Sequence, residues 1–256
     1  MTPDKPETMR TRIMIVDDHP LVRRGIAAVI QAEPDFAVCA LAGDADEARK
    51  ALEKELPDLM LLDISMPGMN GIDLIRELRA RYPELRVLVL SMHEEDVYAE
   101  RALRSGANGY IMKDEPVAKI LGAVRTVLDG GVYVSAGIAA RLMSQSAAGG
   151  LDAVPRMGLE KLTNRELQVY TCIGEGLTSR KVAEKLNLSV RTVHVHREHI
   201  KRKMGFRNAP ELVHHATHWV EGSDTRKAAE AKRVRSDTRP GLPGRPPPPA
   251  RPCGRR

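Results

Sequence analysis

A chain of 256 residues fits one large domain or two of ordinary size, and its 42% hydrophobic content can build a core in each half, mostly from Leu, Val, Ile, Ala and Met because aromatics are only 3%. No apolar stretch is long enough to cross a bilayer, residues 1–10 lack the apolar run of a secretory signal, and the scattered Cys39, Cys172 and Cys253 form neither a disulfide framework nor a metal cluster; this argues against a membrane or disulfide-stapled secreted protein and for a reducing cytoplasm. Residues 1–155 carry 18 Lys+Arg against 24 Asp+Glu, residues 156–220 carry 12 against 6, and residues 221–256 carry 10 against 4, so an acidic part is followed by a basic one, as expected for a cation or phosphate site followed by a polyanion site, or simply for surface scatter.

In chain order, residues 1–10 are expected to be disordered, and five apolar runs then alternate with amphipathic ones. Arg12–Val16 predicts a strand and Pro20–Glu33 a helix; Phe36–Ala42 a strand and Asp44–Glu55 a helix; Leu59–Leu62 a strand and Gly71–Tyr82 a helix. Val87–Leu90 and Asp96–Ser105 form the fourth pair, Gly109–Met112 and Pro116–Asp129 the fifth. Five strand–helix repeats over 11–131 predict an α/β fold, a doubly wound five-stranded parallel sheet covered on both faces, and strands as apolar as Val87-Leu88-Val89-Leu90 suit that burial. Residues 132–157 read as one further helix, Val134–Gln145, and a flexible linker marked by Ala-Ala-Gly-Gly and Pro155. Residues 158–222 are helical in pattern throughout, which predicts a small all-α domain, and the basic, Pro-rich residues 223–256 cannot assemble a core and are expected to be disordered.

Ligands of such sheets bind at the carboxyl ends of the strands. Asp17 and Asp18 end strand one, Asp63 strand three, Ser91 strand four, and Lys113 follows strand five. Carboxylates brought together repel one another unless a cation lies between them, and Mg²⁺ suits a site of a few carboxylates with water and phosphate oxygens. One carboxylate can then attack phosphorus to give an aspartyl phosphate, while Lys113 and the hydroxyl of Ser91 receive phosphoryl oxygens. After Asp63 come Ile64-Ser65-Met66-Pro67-Gly68-Met69-Asn70-Gly71, where Gly68 and Gly71 permit a tight turn that leaves Asp63 at the strand tip, with the Ser65 carbonyl in reach of a metal.

Asp17-Asp18, Asp63 with its Met66-Pro67-Gly68-Met69-Asn70-Gly71 loop, Ser91, Tyr110 and Lys113 together resemble the receiver domain of two-component response regulators, a flavodoxin-like fold, across the whole N-terminal half. The resemblance implies that Asp63 is the phosphoacceptor, that Asp18, Asp63 and the Ser65 carbonyl bind Mg²⁺ with Asp17 contributing through water, and that Ser91 and Tyr110 shift when the phosphoryl group arrives. One departure is Asp114 after Lys113, where many receivers have proline. Aspartate-nucleophile phosphatases share the fold class but place a second Asp two residues after the first; Ser65 stands there, which argues for a phosphoacceptor rather than a turnover enzyme.

In the basic half, Thr163-Asn164-Arg165-Glu166 reads as a capping box for a helix reaching about Glu175, with Gly176 as its stop. Thr178 caps Ser179–Leu186, Ser189 caps a third helix from Val190 to about Met204, and Asn208 caps a fourth with Pro210 in its first turn. On the third helix Val193, Ile200 and Met204 share the core side; Arg191, His194, Val195, Glu198 and Arg202 lie opposite, with His199 and Lys201 on the flanks. Such a face suits the major groove of double-stranded DNA, or else is a solvated surface.

Leu162-Thr163-Asn164-Arg165-Glu166, Gly176-Leu177-Thr178, Val182-Ala183, Leu186, Leu188-Ser189, Thr192-Val193 and His196 resemble the LuxR-type helix-turn-helix, and a receiver before it is the layout of the NarL/FixJ group. The resemblance implies a third helix in the groove and a fourth that supports a homodimer. The DNA contacts expected are Thr178, Arg191, Thr192, His194, Val195, Glu198, Lys201 and Arg202. Glu198 leaves the base preference open, since it can accept from cytosine or repel phosphate. The expected sequence of events is transfer from a histidine kinase to Asp63, rearrangement of the strand four–strand five edge, and release of the reading helix or dimerisation; a receiver serving as a constitutive dimerisation module, or as a small phosphatase, are the rival readings. His194, His196 and His199, or His214 and His218, lack the Cys or carboxylate partners of a metal site.

Overall fold

The computed structural model describes residues 10–92, 95–147 and 158–221. The expected disorder before Arg10, the linker over 148–157 and the tail over 223–256 lie outside those residues.

Strands β1 (Thr11–Val16), β2 (Phe36–Ala42), β3 (Leu59–Asp63), β4 (Arg86–Ser91) and β5 (Gly109–Met112) pair in parallel in the order β2-β1-β3-β4-β5. Between them run α1 (Pro20–Gln31), α2 (Ala45–Lys54), α3 (Gly71–Arg81) and α4 (Glu95–Arg104), and α5 (Val117–Leu128) follows β5. Alternate strand residues face opposite ways. Ile13, Ile15, Leu59, Leu61, Leu88 and Leu90 pack with α1 and α5, whereas Met14, Val16, Met60, Leu62, Val87 and Val89 pack with α2, α3 and α4. The chain reverses direction of travel between β1 and β3, so the ends of those two strands flank the crevice where such sheets bind ligands.

Two local features shape that crevice. Asn70 caps α3, its side chain accepting from the Ile72 amide at 2.8 Å. Gly71 is required for close approach rather than for a special dihedral: a Cβ there would lie 2.3 Å from the Asp63 carbonyl oxygen, and the Gly71 amide donates to the Ile64 carbonyl at 2.9 Å. Gly68, with φ +77°, is the residue that makes the turn. Gly71→Ala is therefore expected to lose about 3 kcal/mol by overpacking and Gly68→Ala only about 1–2 kcal/mol for its left-handed backbone. Urea unfolding of both checks this, and equal losses would contradict it.

The helix expected over Val134–Gln145 is α6 (Ala136–Ala147), which starts later. Tyr133 instead lies beside β5, accepting from the Tyr110 amide at 2.8 Å and donating to the Asn108 carbonyl at 3.1 Å. β5 is an edge strand with unpaired backbone groups, and Gly109 leaves the room, since a Cβ there would fall 2.8 Å from the Tyr133 oxygen.

The second half is helical. A 3-10 turn (Leu159–Lys161), not anticipated from the sequence, precedes α7 (Asn164–Gly174), α8 (Ser179–Leu186), α9 (Val190–Met204) and a last helix, α10, over residues 209–221. The caps form where expected: Thr163 and Glu166 make a reciprocal capping box, Thr178 and Ser189 cap α8 and α9, and Asn208 accepts from the Glu211 amide at 2.9 Å. Asn187 turns the chain between α8 and α9 with φ 49°. Val193 and Ile200 are buried against α7 and α8, and Tyr170 joins α7 to α10, its hydroxyl 2.6 Å from His215 Nδ1 and its ring tilted against that of Trp219.

Candidate functional site

The ends of β1, β3 and β5 bring Asp17, Asp63 and Lys113 together. The Lys113 ammonium lies 2.6 Å from Asp17 Oδ2 and 2.8 Å from Asp63 Oδ2, and all three side chains are buried. Burial opposes the charge on Lys113, but the facing carboxylates of Asp63 and Asp17 outweigh it and raise its pKa. Asp18 is half-buried beside them. Burial, with repulsion from Asp63 and Asp17, raises its pKa against the opposing effect of His19, whose Nδ1 lies 2.7 Å from Asp18 Oδ1. The His19 amide donates to Asp17 Oδ1 at 2.8 Å, and the guanidinium of Arg23 donates to the Asp17 carbonyl.

One ligand atom each from Asp17, Asp18, His19 and Asp63 can be chosen so that all lie within 4.8 Å of one another, the one such cluster among the described residues. Three carboxylates facing one lysine leave negative charge uncompensated. The buried Asp17 Oδ2 and Asp18 Oδ1 have ion-pair neighbours yet no hydrogen bond of good geometry. That donor set, with three carboxylates around one lysine, fits a small, hard divalent cation such as Mg²⁺. His19 joins the cluster without having been anticipated; its place directly after the acidic pair was the available signal.

Ser65, two residues after Asp63, lies on the same loop and is half-buried. Ser91 ends β4 fully buried, and its carbonyl accepts from the Lys113 amide at 2.8 Å, which ties the end of β4 to the lysine. Tyr110 is buried in β5, on the face that packs against α4, opposite Val89 in register.

In the helical half, Arg191, His194, Val195, Glu198 and Arg202 are exposed along one side of α9, where Val195 is 46% exposed. Lys201 is half-buried and pairs with Glu198 at 2.8 Å, so the acid on this face is locally offset. Thr178 and Thr192 are exposed and half-buried respectively, with Thr178 serving as the α8 cap and the Thr192 hydroxyl 2.8 Å from the Ser189 cap. His199 turns away from the reading face, 3.6 Å from Glu166.

Glu166 has a role beyond the capping box. Only 3% of its side chain is exposed, and the Lys203 ammonium lies 2.5 Å from its Oε2, which pins the end of α9 to the start of α7. Burial works against its charge, but Lys203 and the Thr163 amide outweigh it and hold the carboxyl below its ordinary 4.5. A depressed carboxyl contributes stability that is present above its unfolded pKa and is lost as pH falls through the folded one. Glu166→Gln keeps the capping geometry and loses the ion pair, so it is expected to be about 2 kcal/mol less stable at pH 7, with the difference shrinking as pH falls below the ordinary carboxyl value of 4.5. Thermal melts of both proteins across that range check the sign.

The two halves touch through α7, all of whose residues from Glu166 to Gly174 are buried. Tyr98 on α4 meets Thr171 at 3.2 Å, Arg101 reaches Asn164 and the Leu159 carbonyl, and Asp73 on α3 accepts from Asn164. The docked first half thus leaves the reading side of α9 uncovered, so release in the sense of exposing that helix is not what this arrangement needs. Asp73 and Arg101 carry no local pattern that sets them apart from ordinary surface polar residues, and Asn164 stands out in sequence only within the capping box and the LuxR-type motif, so these contacts between the halves were not anticipated.

Residues 13–125 match the family described as response regulator receiver domain, and residues 160–216 match bacterial regulatory proteins of the luxR family. Oxygen regulatory protein NreC of Staphylococcus aureus (strain bovine RF122 / ET3-1) is 35% identical over 208 residues, 80% of this chain and 96% of that protein. Among solved structures, a two-component response regulator of the LuxR family from Aurantimonas sp. SI85-9A1 is 35% identical and superposes with a TM-score of 0.51, covering 54% of this chain and 99% of that one. RcsB from Salmonella enterica serovar Typhimurium, solved bound to promoter rprA in the presence of the phosphomimetic BeF3-, is 25% identical with a TM-score of 0.54 over 81% of this chain and 98% of that one. With an acidic crevice at the strand ends, a capped helix-turn-helix behind it and relatives matched over nearly their whole length, this chain belongs to the two-component response regulators that pair a receiver domain with a LuxR-type DNA-binding domain and act as transcription regulators.

Proposed function

We propose that Asp63 accepts a phosphoryl group from a histidine kinase in the cytoplasm and that this controls binding of a homodimer to double-stranded DNA through α9. The observation that carries this is the buried set of Asp17, Asp63 and Lys113, with Asp18 at its edge, at the switch point of the sheet. The β3 terminus presents Asp63 as the nucleophile, attacking phosphorus through a carboxylate oxygen while the donor's phosphorus–nitrogen bond breaks. Lys113, already against Asp63, offsets charge on the transferring group, and Ser91 receives one of its oxygens. Asp18, Asp63 and the Ser65 carbonyl would hold Mg²⁺, with Asp17 contributing at the same cluster, and the ion would supply charge neutralisation.

At the DNA, Arg191, His194, Val195, Glu198, Lys201 and Arg202 form the reading surface, with Thr178 and Thr192 near the backbone of the groove. Two such helices in a dimer would match half-sites one helical turn apart. Ser65 stands where an aspartate-nucleophile phosphatase carries its second acid, which supports an acceptor over a turnover enzyme. Acetyl phosphate with Mg²⁺ followed by mapping of the modified residue tests the site. One stoichiometric label on Asp63 is expected; label elsewhere, or sustained phosphomonoester turnover, would overturn the assignment.

A further inference from the structure

The last helix, α10, turns one side to the core and leaves the other bare. Leu212 and Ala216 are fully buried, and His215 faces inward to the Tyr170 hydroxyl at 2.6 Å. With about 3.6 residues per turn, the opposite side carries Pro210, Val213, His214 and His218, all exposed, with Thr217 half-buried among them.

This side is unlike the rest of its domain in charge. Residues 208–220 contain no Lys or Arg, although residues 156–220 as a whole carry 12 against 6 Asp+Glu. The carboxyl group in that stretch belongs to Glu211 and accepts from the Arg207 amide at 2.8 Å. A surface without cations does not suit a polyanion, whose phosphates need them. Depletion of charge is instead what the centre of a protein–protein interface shows.

His214 and His218 lie one turn apart, their rings edge to face with centroids 6.4 Å apart. Their ring nitrogens make no hydrogen bond or ion pair among the described residues. Imidazoles at i and i+4 give one helix two ligands for a single zinc ion. Closing both rings on an ion, each nitrogen about 2.0–2.1 Å away, takes side-chain rotation that exposed residues are free to make. A structural zinc has four ligands. One chain does not supply them here: among the described residues, the one cluster of three or more candidate ligands is at the acidic crevice. A second copy related by a twofold axis offers the same two nitrogens, because such a contact uses the same patch on both partners.

We propose that two copies of α10 share one borderline divalent ion of the zinc class through His214 and His218 of each, a four-imidazole site that links the two DNA-binding halves. The proposal deepens the homodimer reading and rests on it. The two metal sites of the chain differ in kind, since carboxylates with water suit Mg²⁺ whereas imidazoles suit zinc. Assembly through α10 thus answers to a metal that phosphoryl transfer does not use.

The test is sedimentation velocity of the full chain as Zn²⁺ is added, with excess Mg²⁺ present to occupy the crevice. The unaltered protein is expected to become dimeric. His214→Gln and His218→Gln, both at exposed positions, are each expected to weaken zinc binding at α10 by at least about tenfold and to stay monomeric at the same zinc concentration. The zinc lost on substitution should amount to one ion per two chains. A dimer that forms equally without zinc, zinc taken up with no change of mass, or zinc-driven assembly that survives in both variants overturns the shared site and leaves the homodimer reading standing. A chain that stays monomeric in zinc and also binds a specific duplex as a monomer overturns both.

Discussion

Asp63→Asn is expected to abolish covalent labelling by acetyl phosphate while leaving the protein folded and, without divalent metal, at least as stable as before. The reason is electrostatic. Asp63 shares one lysine with Asp17 in a buried site, and Asp18 stands beside them in the same cluster and adds its own repulsion. Removing one negative charge relieves that crowding, while the isosteric amide keeps the packing of a side chain that is almost fully buried. Added Mg²⁺ should stabilise the unaltered protein by mass action and the variant much less, since one of the carboxylate ligands is gone. Thermal melts with and without Mg²⁺, beside a labelling gel, give both readings. A variant that still labels, or that gains as much from Mg²⁺ as the unaltered chain, would remove Asp63 from the site.

Arg191→Ala is expected to weaken binding to a specific DNA site by about 1–3 kcal/mol, roughly ten- to a hundredfold, if the guanidinium reads a base edge. Arg191 is exposed in the first turn of α9, the end that such helices present to the groove floor. Its binding isotherms on specific and scrambled duplexes should then converge. A uniform loss on both, with the slope of log affinity against log salt reduced by about 1, would place Arg191 on phosphate instead. Lys203→Ala makes the internal comparison: that lysine is tied to Glu166, so its loss should appear in stability before it appears in specificity. Unchanged affinity in Arg191→Ala at every salt concentration would remove α9 from the interface as drawn.

Much of this architecture is legible in local pattern. Strand and helix positions in the first half follow from apolar runs alternating with amphipathic ones, because a parallel sheet covered on both faces must bury both sides of each strand. The ends of α7, α8 and α9 follow from Thr163, Thr178, Ser189 and their partners, since capping is a short-range bond between neighbours in sequence. Where local pattern misled, the competing partner came from far along the chain: Val134 looks like the start of a helix, but Tyr133 and its neighbours meet the open edge of β5. Glycines divide in the same way. Gly68 announces a turn by its type, whereas the need for Gly71 comes from the Asp63 carbonyl lying where its Cβ would be.

By itself the sequence determined the order of elements, the acidic residues at the strand ends and the exposed composition of α9, because each depends on periodicity or on bonds between near neighbours. The tertiary structure decided three things: that Lys113 bridges Asp17 and Asp63, that Lys203 closes on Glu166, and that α7 docks on α3 and α4 through Asn164. In each case the partners are separated by tens of residues, and their pairing depends on how sheet twist and helix packing place the elements in space. A side chain's identity constrains what it can bond to, but only packing selects which of many possible partners it meets.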